Sequence, residues 1–440
     1  MKSLLAAVFA AALAPNGIPE ALDAFLDARF DATPETTRAL AERCRKAGLG
    51  AAEVEKLLRA GRASYPAKPV AAPGRLTKSI PLACDHVDYE TVFHLYVPKG
   101  YSPRAKKAWP LVLVGHGGNA AMSPERAAAT AESYIEPWID EAEERGFLVA
   151  APATARGWSW IGSSILASLV SKLGREYRVD PDRVYATGHS MGGHMAWRCG
   201  IFEGDRYGAI GPMSGGYDYV ENGQVLALFN VPGYATHGRD EPYGIADHNR
   251  KIREWMAERK WSFWSIVEKP GGHEIFEDEI PRMAEFFLGH PRDLYREKVS
   301  VRAEGKLRLD AAEPRNPGWP VEHAWRPGRA IPQETFHWVR VFGGAPGVQR
   351  ALVTRRKGSN AIDVVASGVP RLRLYLHSRM FDLSRDIAIT VNGEKRSIRA
   401  ERRLETMLDL AREFDDRGRV FEAAIDLDVG TSREVPEPRK

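Results

Sequence analysis

Apolar positions along the chain change their spacing three times. Between residues 15 and 64 they recur every three or four residues. In "PEALDAFLDARF", Pro19 stands in the first turn and Leu22, Phe25, Leu26 and Phe30 share one face, which predicts an amphipathic helix. Thr33 can cap "PETTRALAERCRKAG", with Pro34 in first position and Gly48 as its stop; "AAEVEKLLRAG" ends at Gly61. These segments predict a small N-terminal helical unit. Residues 65–77 open with "YPAKPVAAPGR", rich in proline and alanine, and suit an extended linker.

From residue 78 the pattern becomes short, continuously apolar runs alternating with helical stretches. "KSIPLA", "TVFHLYVP", "PLVLVGHGG", "GFLVAAP", "RVYATG", "GAIGPMSG", "VPGYATHG" and "WSFWSIVEKPGG" have strand length and little polarity. Strands apolar on both sides, separated by helices, predict a mostly parallel sheet covered on both faces over residues 78–290. Beyond 291 the runs alternate polar and apolar, as in "FHWVRVFGG", "NAIDVVASG" and "RLRLYLHS". That alternation predicts an antiparallel β-rich domain over 291–440 with one solvated face. Asn392-Gly393 marks a hairpin turn, the segment "RRLETMLDLAREF" adds one helix, and "TSREVPEPRK" reads as a loose tail.

Composition narrows the function classes. Of 440 residues, 44% are apolar and 27% charged, the balance of a globular protein. A net charge of +4, from 62 basic and 58 acidic side chains scattered along the chain, gives no footprint for nucleic acid. Cys44, Cys84 and Cys199 are odd in number and far apart, so buried small hydrophobes are expected rather than a disulfide framework or a zinc site. No histidine pair has a metal-ligand spacing. The opening "MKSLLAAVFAAALAPNG" places Lys2 before an apolar run from Leu4 to Leu13, and Ala12-Leu13-Ala14 resembles a signal-peptidase site. Residues 1–14 are therefore expected to be an export signal, giving a periplasmic or secreted protein; as a structural first helix they would leave it cytoplasmic. No other apolar run is long enough to span a bilayer.

The chemistry concentrates in "VYATGHSMGGHMAW", residues 184–197. Ser190 stands between glycines, follows an apolar strand and precedes a helical stretch. Strand–turn–helix is the context of a nucleophile elbow, in which a strained turn exposes the hydroxyl and the next residue, Met191, offers a backbone N–H to an oxyanion. A small residue in a tight turn is the plain alternative.

"VDPDRVYATGHSMGG" resembles the nucleophile region of α/β-hydrolases. It is most like the branch that holds polyhydroxybutyrate depolymerase-like, feruloyl and acetylxylan esterases, dienelactone hydrolase-like enzymes and prolyl oligopeptidase-like catalytic domains. The likeness covers about residues 80 to 290. It implies an oxyanion loop in "PLVLVGHGGNA", with His116, Gly117 and Gly118, and the Gly118 N–H joining that of Met191. It implies an acid in "VPGYATHGRDEPY", where Asp240 stands in the family's register and Glu241 and Asp247 fall outside it. His237 there orients the loop. It implies a general base in "EKPGGHEIF", His273. His86, His94, His189, His194 and His248 have no comparable setting. The implied enzyme is a serine esterase that needs neither metal nor organic cofactor, acting on a small-molecule or polysaccharide-linked ester. A prolyl oligopeptidase-like peptidase and a non-catalytic binding protein on the same scaffold are the alternatives. Trp158 and Trp160 in "ATARGWSWIGSS", and Tyr217 in "MSGGYDY", are candidates to line a substrate pocket. Trp319, Trp325 and Trp338 are available for sugar stacking in the C-terminal domain.

Overall fold

The computed structural model describes residues 17–119, 121–304, 326, 328–332, 334–342 and 347–439. Residues 1–14, Trp319 and Trp325 lie outside the described residues.

The central element is an eight-stranded sheet. Its strands are β1 (Arg75–Ala83), β2 (Glu90–Val97), β3 (Trp109–Gly115), β4 (Leu148–Pro152), β5 (Val179–His189), β6 (Ala209–Met213), β7 (Gly233–Gly238) and β8 (Trp264–Lys269). Their order is β1-β2-β4-β3-β5-β6-β7-β8. β2 runs antiparallel to both β1 and β4, and every pair from β4 to β8 is parallel. β4, β6 and β7 are buried at every position, which is why their sequences show no alternation. α4 (Pro124–Ile135), α5 (Ile139–Arg145) and α9 (Ile280–Gly289) cover one face through Ala127, Ala131, Ala142, Met283 and Phe287. α6 (Trp160–Glu176), α7 (Met191–Glu203) and α8 (Ile245–Glu258) cover the other through Leu166, Leu169, Met195, Ile252 and Met256. Because β3 and β5 to β8 are parallel, the loops that follow them all emerge at one rim.

The C-terminal region forms two further sheets. One is five-stranded: β9 (Lys298–Glu304), β12 (Val348–Arg355), β13 (Ala361–Ser367), β15 (Ile387–Val391) and β16 (Glu394–Ile398). The other is four-stranded: β10 (Thr335–Phe336), β11 (Val339–Val341), β14 (Arg371–Leu376) and β17 (Ala423–Asp428). β13 buries alternate residues, and Asn392-Gly393, both at positive φ, turns β15 into β16. The expected antiparallel pairing has one exception, since β13 and β15 run parallel. Trp338 is fully buried in this core and gives its indole N–H to Arg296 O at 3.0 Å, so it is not a sugar-stacking surface.

The helices α1 (Ile18–Asp27), α2 (Pro34–Lys46) and α3 (Ala51–Ala60) do not make a core alone. Leu22, Leu40, Val54 and Leu58 share a cluster with Met407, Leu408 and Ala411 of α10 (Leu404–Glu413). The helix that interrupts the C-terminal strands is thus the fourth member of the N-terminal bundle. The tail is not loose either. Val435 is buried, Trp261 donates its indole N–H to Pro438 O at 3.0 Å, and Arg259 pairs with Glu437 at 2.7 Å. The three cysteines are free and buried.

Buried guanidinium groups join the units. Arg292 binds Asp182 at 2.8 Å and Asp416 at 2.5 Å, and Arg419 binds Asp205 at 2.8 Å. Burial pushes the Asp416 carboxyl up, but Arg292 and Arg419 outweigh it and hold it at about 2. Removing the cation would strip that buried carboxylate of its closest counter-charge and leave Asp182 short of one as well. Arg292→Ala is therefore expected to lower stability by roughly 3–5 kcal/mol, read as a fall in the urea midpoint; an unchanged midpoint would show that the network is dispensable.

Candidate active site

β5 passes into α7 through a single residue, Ser190, whose φ of 56° and ψ of −116° lie in a region that costs a non-glycine residue about 1–3 kcal/mol. Two backbone bonds hold it: Ser190 N–H to Met213 O at 2.9 Å, and His194 N–H to Ser190 O at 3.0 Å. A β-carbon at Gly188 or Gly192 would run into the Gly115 carbonyl at the end of β3, so these two positions must be glycine for the turn to close.

The loop after β8 brings His273 over this turn. Its Nε2 lies 2.7 Å from Ser190 Oγ and its Nδ1 2.6 Å from Glu241 Oε2. The Glu241 side chain is 0% exposed, and its other oxygen accepts the Gly238 N–H at 3.2 Å. The carboxylate expected from Asp240 is therefore supplied by its neighbour. The reason is local. Asp240 spends its backbone N–H on Gly271 O at 2.9 Å, which ties the two loops together and leaves its side chain exposed. The longer Glu241 side chain folds back under the imidazole. Asp247 pairs with Arg250 instead. With a carboxylate on Nδ1, the ring carries its proton there, and Nε2 is free to accept the serine hydrogen. His237 is buried, with Nδ1 3.0 Å from Gly238 O at the end of β7.

The loop after β3 rests on the same turn. A β-carbon at Gly117 would lie 3.2 Å from Ser190 Cβ, and Gly118 has φ of +114°. His116 is buried beneath the loop. Its Nε2 accepts the Thr154 N–H at 3.0 Å, so Nδ1 donates to Gly117 O at 2.7 Å. Met191 is the first residue of α7, where backbone N–H groups have no partner within the helix.

The tryptophan expectations divide. Trp158 is buried and gives its indole N–H to His116 O at 2.9 Å, so it supports the loop from behind and forms no pocket wall. Trp160 is half-buried and packs against the core. Tyr217 is 54% exposed and stacks on His194, ring centres 4.3 Å apart and planes 21° from parallel. Gly216 N–H holds the His194 ring through Nδ1 at 3.1 Å. His189 and His194, set aside in the sequence reading, both belong to the surroundings of His273. Their place inside the quoted elbow stretch was the available signal. Burial first, and the nearby His273 second, depress both to about 4. Among the described residues, no group of three or more His, Cys, Asp or Glu could hold a metal ion, and no helix is long and apolar enough to cross a membrane.

Residues 86–270 match the model of the Esterase family, described as "Putative esterase". The chain is 26% identical over 154 residues to a bifunctional acetylxylan esterase/xylanase from Neocallimastix patriciarum; the match covers 34% of this chain and 21% of that protein. The chain thus spans about a fifth of the length of that curated relative. Among solved structures, a thermostable esterase is 22% identical, with 49% of this chain and 63% of that one covered and a TM-score of 0.40. The feruloyl esterase module from Clostridium thermocellum complexed with sinapinate is 15% identical, with coverage of 50% and 90% and a TM-score of 0.40.

The buried histidines set an acid limit on stability. His189 and His194 at about 4, and His86 at about 3, stay neutral in the folded protein while an unfolded chain protonates them near 6.5. The unfolded state then holds more protons between those values, so stability is lost as pH falls below about 6.5. Three such groups give a slope of roughly 4 kcal/mol per pH unit around pH 5. Urea midpoints at pH 7.5, 6 and 5 should fall steeply, and a flat profile would contradict the neutral burial of these rings.

Proposed function

We propose that the α/β-hydrolase esterase domain that includes residues 86–270 cleaves carboxylic esters with Ser190 as nucleophile, His273 as general base and Glu241 as its carboxylate partner. The observation that carries this reading is the pair of bonds on His273, 2.7 Å to the hydroxyl and 2.6 Å to a fully buried carboxylate. A serine hydroxyl is a weak nucleophile at neutral pH. As Oγ attacks the ester carbonyl, Nε2 takes its proton, and Glu241 stabilises the imidazolium that forms. The backbone N–H groups of Gly118 and Met191 receive the charge on the carbonyl oxygen. The imidazolium then protonates the departing alcohol, leaving an acyl-serine. Water, deprotonated by the same ring, releases the acid and restores the serine.

The substrate we favour is an ester on a polysaccharide, or a short-chain or aryl ester. The similarity to part of an acetylxylan esterase supports the first, and the exposed face of Tyr217, a surface on which a sugar or aryl ring can stack, supports either. Export through residues 1–14 would bring the enzyme to such a polymer.

Hydrolysis of p-nitrophenyl acetate tests the assignment. Ser190→Ala should abolish it. Glu241→Gln should lower kcat on the order of 10⁴-fold, because the amide no longer fixes the ring tautomer. Asp240→Asn should remain within about twofold, as expected of a surface change. A folded wild type with no ester turnover would end the proposal, and a large loss in Asp240→Asn alone would return the acid role to that residue.

A further inference from the structure

The site contains a second set of contacts that the reaction as written does not use. Tyr134, near the end of α4, is half-buried. Its oxygen packs against Gly117 of the oxyanion loop, 2.5 Å from where a β-carbon on that glycine would sit, and lies 3.1 Å from His189 Nδ1. The Tyr134 hydroxyl and His189 Nδ1 share one hydrogen bond, which holds the imidazole against the phenol. His189 precedes the nucleophile, is buried, and lies with its ring centre 4.8 Å from that of His273 at an interplanar angle of 44°. One phenol therefore touches the oxyanion loop on one side and, through a single imidazole, the nucleophile turn and the base on the other.

We propose that Tyr134 and His189 are positioning residues that fasten the oxyanion loop to the nucleophile turn and give His273 an uncharged wall to pack against. The inference rests on the ester-hydrolysis reading above. Its physical basis is that oxyanion donors act by being aimed before charge develops, so a tether that fixes the Gly117–Gly118 backbone stabilises the transition state and leaves substrate binding alone. The wall matters for the other charge of the reaction. His273 becomes an imidazolium in the transition state, and a cationic neighbour at this distance would oppose it. His189 stays neutral because it is buried and lies beside His273.

Kinetics on p-nitrophenyl butyrate, with inhibition by phenylboronic acid as a tetrahedral mimic bound on Ser190, test the inference. Tyr134→Phe and His189→Ala should each lower kcat at least about 10-fold while KM stays within about twofold, and the boronate inhibition constant should weaken in step with kcat. His189→Asn, whose side-chain amide can pair with the phenol, should recover most of the loss. The double variant Tyr134→Phe/His189→Ala should be no worse than the poorer single one, as expected of residues acting as a unit. Circular dichroism and thermal melting establish that each variant is folded. A folded Tyr134→Phe with unchanged kcat and unchanged boronate inhibition would overturn the inference while wild-type turnover leaves the esterase reading standing, and so would a loss confined to KM. A folded wild type without turnover or fluorophosphonate labelling would remove the esterase reading, and this inference with it.

Discussion

Three backbone segments compete for the space beside the carbonyl of Gly115: the end of β3, the turn at Ser190 and the first turn of α7. Glycine at 188 and 192 lets them coexist, and Ser190 between them stands at positive φ. Much of the site follows from that crossing. It lifts the hydroxyl above the sheet rim, leaves the Met191 N–H without a helical partner, and brings the loop after β3 against the serine from the side. The loops after β7 and β8 then need only to reach the same rim, and the Asp240 N–H to Gly271 O bond ties them to each other.

The electrostatics of the interior divide by chemistry. Arg292 and Arg419, which join the units, are buried charged and matched to carboxylates, Arg292 to Asp182 and Asp416 and Arg419 to Asp205. Imidazoles around the active site are buried neutral, each held by a backbone group or a hydroxyl, as His116, His189 and His194 are. Arginine cannot shed its proton, so the protein must supply counter-charge. Histidine can, so burial, reinforced at His189 and His194 by the nearby His273, decides its state.

What could be read from the chain depended on whether a rule of spacing applied. The parallel core was legible because strands apolar on both sides leave an unmistakable run, and the elbow was legible because its glycines answer a steric need. The carboxylate that meets His273 was placed one residue too early. Beyond Gly238 the chain is no longer a strand, and no period says whether residue 240 or 241 turns inward; only the fold shows that Asp240 is tied by its backbone and Glu241 is buried. Trp158 lies in the loop after β4 and Trp160 opens α6, and the sequence there does not say which indole faces in. The parallel pairing of β13 with β15 was invisible for a related reason, since alternation marks a strand's faces and is silent about its neighbour's direction.

The packing of α10 among α1 to α3 means that segments from both flanks of the central sheet share one core. The outer segments together form a brace, secured to the catalytic layer by Arg59 on Asp182 and by the tail on Trp261. The catalytic domain is consequently no detachable cassette. Excised at its sheet boundaries, it would expose the Trp261 indole and the Asp182 carboxylate that its flanks now cover, and the severed flanks would each lose half of a shared core. Grafting the central sheet and its candidate site onto another scaffold would require carrying both flanks along.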